Sequence, residues 1–196
     1  MTENHATDLK QFTSMSLWYT IRGVVMIFTG VAIAGLCIVA PKVYMLGESF
    51  SWLPVVGITV VIVGILRCVD AYSTVTAQGF LVNMQGGVMD IVVGVLILFA
   101  VNGVPEDLHL LIVGYLVSQG IYRNILLSVA KVPNPISNRI TGLISIILGM
   151  LIWLGWPISA AWFLAFSLSV DISFRGWALV ALASALKKQG LTLSGE

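Results

Sequence analysis

Long apolar runs alternate with short polar links along the whole chain. Six apolar stretches can be marked, over residues 17–40, 52–71, 82–101, 108–130, 140–156 and 162–186. Each approaches or exceeds the roughly 17–25 residues a helix needs to cross a bilayer. The residue-by-residue alternation of a membrane β-barrel is absent, so helices are predicted. Short links make successive helices antiparallel. The predicted fold class is an all-α membrane protein with six transmembrane helices, arranged as three tandem antiparallel helical hairpins over about 17–75, 76–131 and 132–188. They form one transmembrane domain, 17–188, between an N-terminal tail, 1–16, and a C-terminal tail, 189–196.

Composition agrees with this pattern. Hydrophobic residues make up 58% of the 196 residues and charged residues 10%, against roughly 25% charged in a soluble domain. Lipid is the solvent that accommodates such a chain, and the bilayer is the first partner implied. The net charge is +1, and no basic patch or nucleic-acid motif is present, which sets that class aside.

Lys and Arg give the orientation. Lys10, Arg22, Arg67, Arg123, Lys131, Arg139, Lys187 and Lys188 fall at or near one side of a six-span arrangement, and only Lys42 falls at the other, with Glu48, Glu106 and Asp107. The positive-inside rule then predicts a multi-pass protein of the bacterial inner membrane with both termini cytoplasmic. Trp52, Trp153, Trp156 and Trp162 cluster at the predicted outer interface, as an aromatic belt does. The first sixteen residues are polar and include acids, so they read as a cytoplasmic tail and not as a cleavable signal. Leu9, Phe12 and Met15 could share one face of a short interfacial helix; a disordered terminus is the other reading. Cys37 and Cys68 are expected at opposite faces of the bilayer, too far apart to bridge.

The chain also repeats itself. The first span carries Gly23 and Gly30, then Pro41; the third carries Gly87 and Gly94, then Pro105; the fifth carries Gly142 and Gly149, then Pro157. Spaced by about two helical turns, the two glycines of each pair share a face. Such small faces let membrane helices approach closely, so these six glycines are candidate packing positions. Even spans rhyme more loosely: Gly57 and Gly64 precede Arg67, and Gly114 and Gly120 precede Arg123, whereas the sixth keeps Gly176 but has Leu179 in place of an arginine.

Arg22-Gly23, Gly30 and Pro41, recurring in three hairpins, resemble the HdeD-type acid-resistance membrane protein family. The closing segment is similar too: Trp156-Pro157-Ile158-Ser159-Ala160-Ala161-Trp162, then Val170-Asp171 and Arg175-Gly176-Trp177-Ala178-Leu179. The resemblance runs from about Trp18 to Lys188. It implies a six-helix inner-membrane protein linked in some bacteria to acid stress. It supplies no catalytic residues and no mechanism. The long outer loop 42–51, with Glu48, departs from the family pattern.

Ionisable groups inside membrane spans cost roughly 2.5–3.5 kcal/mol each on insertion scales. Asp171 lies near the middle of the sixth span, with Arg175 one turn later on the same face. Asp90 lies in the inner half of the third span, and Arg22, Arg67, Asp70 and Arg123 lie towards inner ends. Together they predict a charged layer in the cytoplasmic half of the bundle. Either Asp90 and Asp171 titrate in a proton or ion relay, or Arg67, Arg123 and Arg175 neutralise them and fix helix register. Neither aspartate has a histidine partner, which favours the structural reading.

Enzyme chemistry finds no foothold. No ligand spacing for a metal, no phosphate loop and no nucleophile elbow is present, and no cofactor is implied. His109, beside Glu106 and Asp107, reads as an ordinary interfacial histidine before a metal or pH-sensing one. Two functions remain. One is a structural or interaction subunit packing through its small-residue faces against another membrane protein or its own copies. The other is a small transporter or channel with Asp90 and Asp171 in a pathway near a pseudo-threefold axis. Prolines at helix ends, and not in mid-span, favour the first.

Overall fold

With no water to bond its backbone, an apolar run satisfies its N–H and C=O groups internally, and helices result. The computed structural model describes residues 2–40, 43–45, 48–50, 52–73, 77–100, 105–129, 135–155 and 161–193. Its helices are α1 (Thr2–Val39), α2 (Leu53–Ser73), α3 (Ala77–Ala100), α4 (Pro105–Val129), α5 (Pro135–Trp153) and α6 (Ala161–Leu193). Pro105 and Pro135 open α4 and α5, where a missing N–H removes no helical bond. Beyond α5, Gly155 takes a φ of 67° and donates its N–H to Ile152, a left-handed turn that glycine adopts without strain.

Among the described residues, four helical segments are long and apolar enough to cross a membrane: Ser16–Val39, Leu53–Tyr72, Ile136–Trp153 and Trp162–Ala185. In α3 the apolar segment is the shorter Asn83–Phe99. In α4 the apolar run is broken by Ser118, Gln119, Arg123 and Asn124. Two expectations change in detail. The 1–16 tail is no separate interfacial helix, since α1 runs unbroken from Thr2. The all-α fold includes a small ribbon: β1 (Val43–Met45) pairs antiparallel with β2 (Glu48–Phe50), with Tyr44 opposite Ser49. Beside it Trp52 Nε1 donates to the carbonyl oxygen of Ala40 at 2.9 Å, tying the end of α1 to the start of α2. Pro41, Lys42, Lys131, Trp156 and Pro157 lie outside the described residues.

Packing departs from the tandem hairpins. The extensive helix pairs are α1·α6, α2·α3 and α4·α5, while α3·α4 and α5·α6 touch less and the backbones of α1 and α2 scarcely approach. The glycines explain this. A Cβ on Gly64 would lie 2.8 Å from the carbonyl oxygen of Gly87, one on Gly120 would lie 2.6 Å from that of Gly142, and one on Gly176 would lie 2.6 Å from that of Gly23. Two helical turns away, a Cβ on Gly94 would lie 2.9 Å from the Gly57 oxygen and one on Gly30 would lie 2.6 Å from that of Ser169. A Cβ on Gly149 would stand farther from backbone, 3.4 Å from the Val113 oxygen, but 2.7 Å from Val117 Cγ2. Each odd helix therefore seats its glycine face on the preceding even helix, and α1 closes the set on α6. One glycine face can serve only one close neighbour, so the repeating unit in sequence is not the packing unit in space.

The core follows the same threefold register. Val56, Ile112 and Leu168 are buried, as are Ile33, Ile97 and Ile152, and all belong to one contiguous apolar cluster. Outward faces carry Phe28, Ile62, Phe99, Ile125 and Ile147, a large exposed apolar surface of the kind that marks a membrane or protein contact. Among the described residues α6 differs: its only exposed large apolar side chain is Trp177. Besides α1 and α5, it also meets α2 and α4, so it lies inside the bundle.

Candidate functional site

Because α6 is the inner helix, its polar residues meet side chains from several others. Asp171 and Arg175 sit one turn apart, and Arg175 Nε donates to Asp171 Oδ2 at 2.6 Å. The same guanidinium reaches across to α3, where its Nη1 donates to both Asp90 oxygens, at 2.8 and 3.0 Å. Its Nη2 donates to the Tyr115 hydroxyl on α4 at 2.7 Å. Arg175 thus bridges the two aspartates, and the expected pair within one helix is not a private one. A planar guanidinium with five fixed donors is the side chain able to do this.

Each aspartate gathers further donors. Asp90 receives Arg67 Nη1 from α2 at 2.8 Å and, from α4, the Tyr115 hydroxyl at 2.5 Å and Gln119 Nε2 at 3.3 Å. Asp171 receives the Ser145 hydroxyl from α5 and Arg123 Nη1 from α4 at 3.4 Å. Both carboxylates are almost wholly enclosed, at 0% and 1% exposure. Buried carboxylates are tolerated only when paired and hydrogen-bonded in this manner. The network joins α2, α3, α4, α5 and α6, so its geometry depends on all five helices.

A second cluster stands apart. Arg22 on α1 pairs with Asp70 on α2 and donates Nη2 to the Val63 carbonyl at 3.4 Å. Trp18 Nε1 reaches Asp70 Oδ1 at 3.4 Å. The predicted charge layer of Arg22, Arg67, Asp70, Asp90, Arg123, Asp171 and Arg175 is therefore two clusters.

Tyr115, Gln119 and Ser145 belong to this network and escaped sequence reasoning, being unremarkable polar residues in membrane helices. The repeat held the signal. Tyr115 precedes Gly120 by the offset at which Asp171 precedes Gly176, and Gln119 corresponds likewise to Arg175. Ser145 follows Gly142 as Asp90 follows Gly87. Residues at the same offset from these contact glycines lie on the same face of their helices, and in this bundle those faces turn towards one another, so the polar side chains meet. The remaining expectations find ordinary roles. His109 Nε2 lies 2.8 Å from the Ile152 carbonyl oxygen, joining α4 to α5. Cys37 and Cys68 are free thiols. Trp153 is exposed, and Trp162 stacks edge-on against Phe163.

On the side of the layer towards the chain termini, a cavity of about 260 Å³ opens among Arg22, Arg67, Arg123 and Arg175. On the other side, the apolar cluster through Val56, Ile112 and Leu168 fills the bundle. Comparison of the sequence and fold with known protein families, with curated proteins and with solved structures finds no match.

Proposed function

We propose that this chain is a non-enzymatic integral membrane protein whose six helices all cross the bacterial inner membrane, with both ends cytoplasmic, and that it acts as a structural or interaction subunit. One observation carries the non-transport part. Asp90 and Asp171 are each held by several fixed donors from neighbouring helices, and the bundle beyond them is filled with apolar side chains. A relay needs groups that change partners and reach water on both sides. Support for six spans comes from length and burial. At 24 and 25 residues, α3 and α4 exceed α2 and α5. The polar residues Tyr115 and Gln119 of α4 are buried against α3 and α6 and do not face lipid.

The glycine faces are occupied within the chain, so contact with a partner or a second copy uses the outer apolar faces. The acid-stress setting rests on the resemblance to the HdeD-type family. The runner-up, a small transporter with Asp90 and Asp171 in an ion pathway, draws on the arginine-lined cavity. Stability in detergent and acid survival of cells, measured together for Asp90→Asn, separate the two. The structural reading expects both to fall together. Normal stability with lost survival overturns it in favour of transport. Crosslinking in native membranes tests the subunit role, which fails if the chain is recovered only as a monomer.

A further inference from the structure

The arginine-lined cavity carries a charge imbalance. Arg22, Arg67, Arg123 and Arg175 line it together with Asp70, and Asp90 and Asp171 stand behind them. Among the described residues, four arginines meet three aspartates, which leaves one positive charge in excess within the layer. Two guanidinium nitrogens among the described residues, Arg22 Nε and Arg123 Nη2, are buried without a hydrogen-bond partner. A buried cationic donor without an acceptor is costly, and an anionic oxygen is the group that satisfies it best.

A second cavity, of about 390 Å³, shares Arg22, Met26 and Val63 with the first. It is an apolar groove between α1 and α2, lined by Ile21, Val25, Ile62 and Leu66. The groove exists because α1 packs on α6 and α2 packs on α3, leaving α1 and α2 apart. Along α1 it extends from Trp18 to Thr29, a rise of ~16 Å at about 1.5 Å per residue. That is half of a hydrocarbon core of ~30 Å, the depth of a single leaflet.

We propose that these joined cavities bind an anionic phospholipid, its phosphate against Arg22 and Arg123 and one acyl chain along the α1/α2 groove. The arginine-lined cavity borders the groove at Arg22, and from there the groove continues along α1 to Thr29, away from the chain terminus. A headgroup at Arg22 therefore leaves room for an acyl chain running towards the membrane's middle. A free phosphate would satisfy the arginines and leave the groove unexplained. The proposal needs α1 and α2 in the bilayer, and both are long and apolar enough to cross it. It does not depend on the subunit role.

The test uses the purified full chain in mild detergent, offered equal amounts of phosphatidylglycerol and phosphatidylcholine and read by native mass spectrometry. One phosphatidylglycerol per chain is expected, preferred about tenfold, the scale of one hydrogen bond to a charged group. Val25→Trp fills the groove from a position that is 57% exposed, so folding is retained while lipid retention is lost. Asn138→Asp places a carboxylate in the cavity lining, cancels the excess charge and removes the preference for the anionic lipid. Equal retention of the two lipids overturns the proposal, as does wild-type retention by Val25→Trp or an unchanged preference in Asn138→Asp. Inorganic phosphate raising the melting temperature as much as phosphatidylglycerol does would assign the cavity to a free anion instead, and would also overturn it.

Discussion

Replacing Asp171 by Asn removes one of the two negative charges that hold Arg67, Arg123 and Arg175. That five-residue network carries three positive and two negative charges, so its net charge rises from +1 to +2 in a buried site. The amide keeps one acceptor oxygen where the carboxylate received Arg175, Arg123 and Ser145. Breaking a buried ion pair by removing one partner costs roughly 3–5 kcal/mol, and the retained oxygen places the expected loss near the lower end, about 3 kcal/mol. For a chain of this length that corresponds to a melting temperature lower by ~6–12 °C. The readout is thermal unfolding in mild detergent, followed by tryptophan fluorescence. A second change then tests the wiring. Arg123→Leu removes the arginine left without its carboxylate and keeps Arg175 bidentate on Asp90, so it should restore about 2 kcal/mol. Arg175→Leu should restore little, because it also strips Asp90 and Tyr115 of their shared partner. Rescue by Arg175→Leu and not by Arg123→Leu would show that Asp171 and Arg175 form an isolated pair. An Asp171→Asn variant that melts like wild type would refute the structural role of the layer.

Three further outcomes are expected. Gly64→Leu, Gly120→Leu and Gly176→Leu should each destabilise by at least ~1–3 kcal/mol through overpacking against a facing backbone, whereas Gly114→Leu, whose Cβ would meet nothing within 4 Å, should melt like wild type; equal effects in the two groups would show that the glycine faces do not hold the helices. Tyr115→Phe removes a donor to Asp90 and an acceptor from Arg175 and should cost about 1–3 kcal/mol in thermal unfolding; no loss would place Tyr115 outside the network. Reporter fusions after Glu196 and within 42–51 should report cytoplasm and outside respectively, and the same side for both would sink the six-span arrangement.

The sequence by itself determined the helical class and roughly where the apolar runs lie, but not where every helix begins: α1 starts at Thr2, well before its apolar run. Unbroken apolar runs leave the backbone no partner but itself, Pro105 and Pro135 open α4 and α5, and Gly155 turns the chain after α5. It also marked Gly23, Gly30, Gly87, Gly94, Gly142 and Gly149 as positions of close approach, because a missing Cβ has the same consequence in any membrane bundle. Partners are a different matter. Nothing in the spacing of Gly87 says that it meets Gly64 of the preceding helix, or that Gly23 meets Gly176 at the far end of the chain. Those contacts depend on which neighbour each face turns to, a choice made jointly by all six helices. Likewise Asp171 and Arg175 were legible as a pair because helical periodicity is local. Their union with Asp90, Tyr115, Gln119, Arg67, Arg123 and Ser145 was decided only when α6 moved inside the bundle, since hydrogen bonds between helices depend on distance in space and not on separation along the chain.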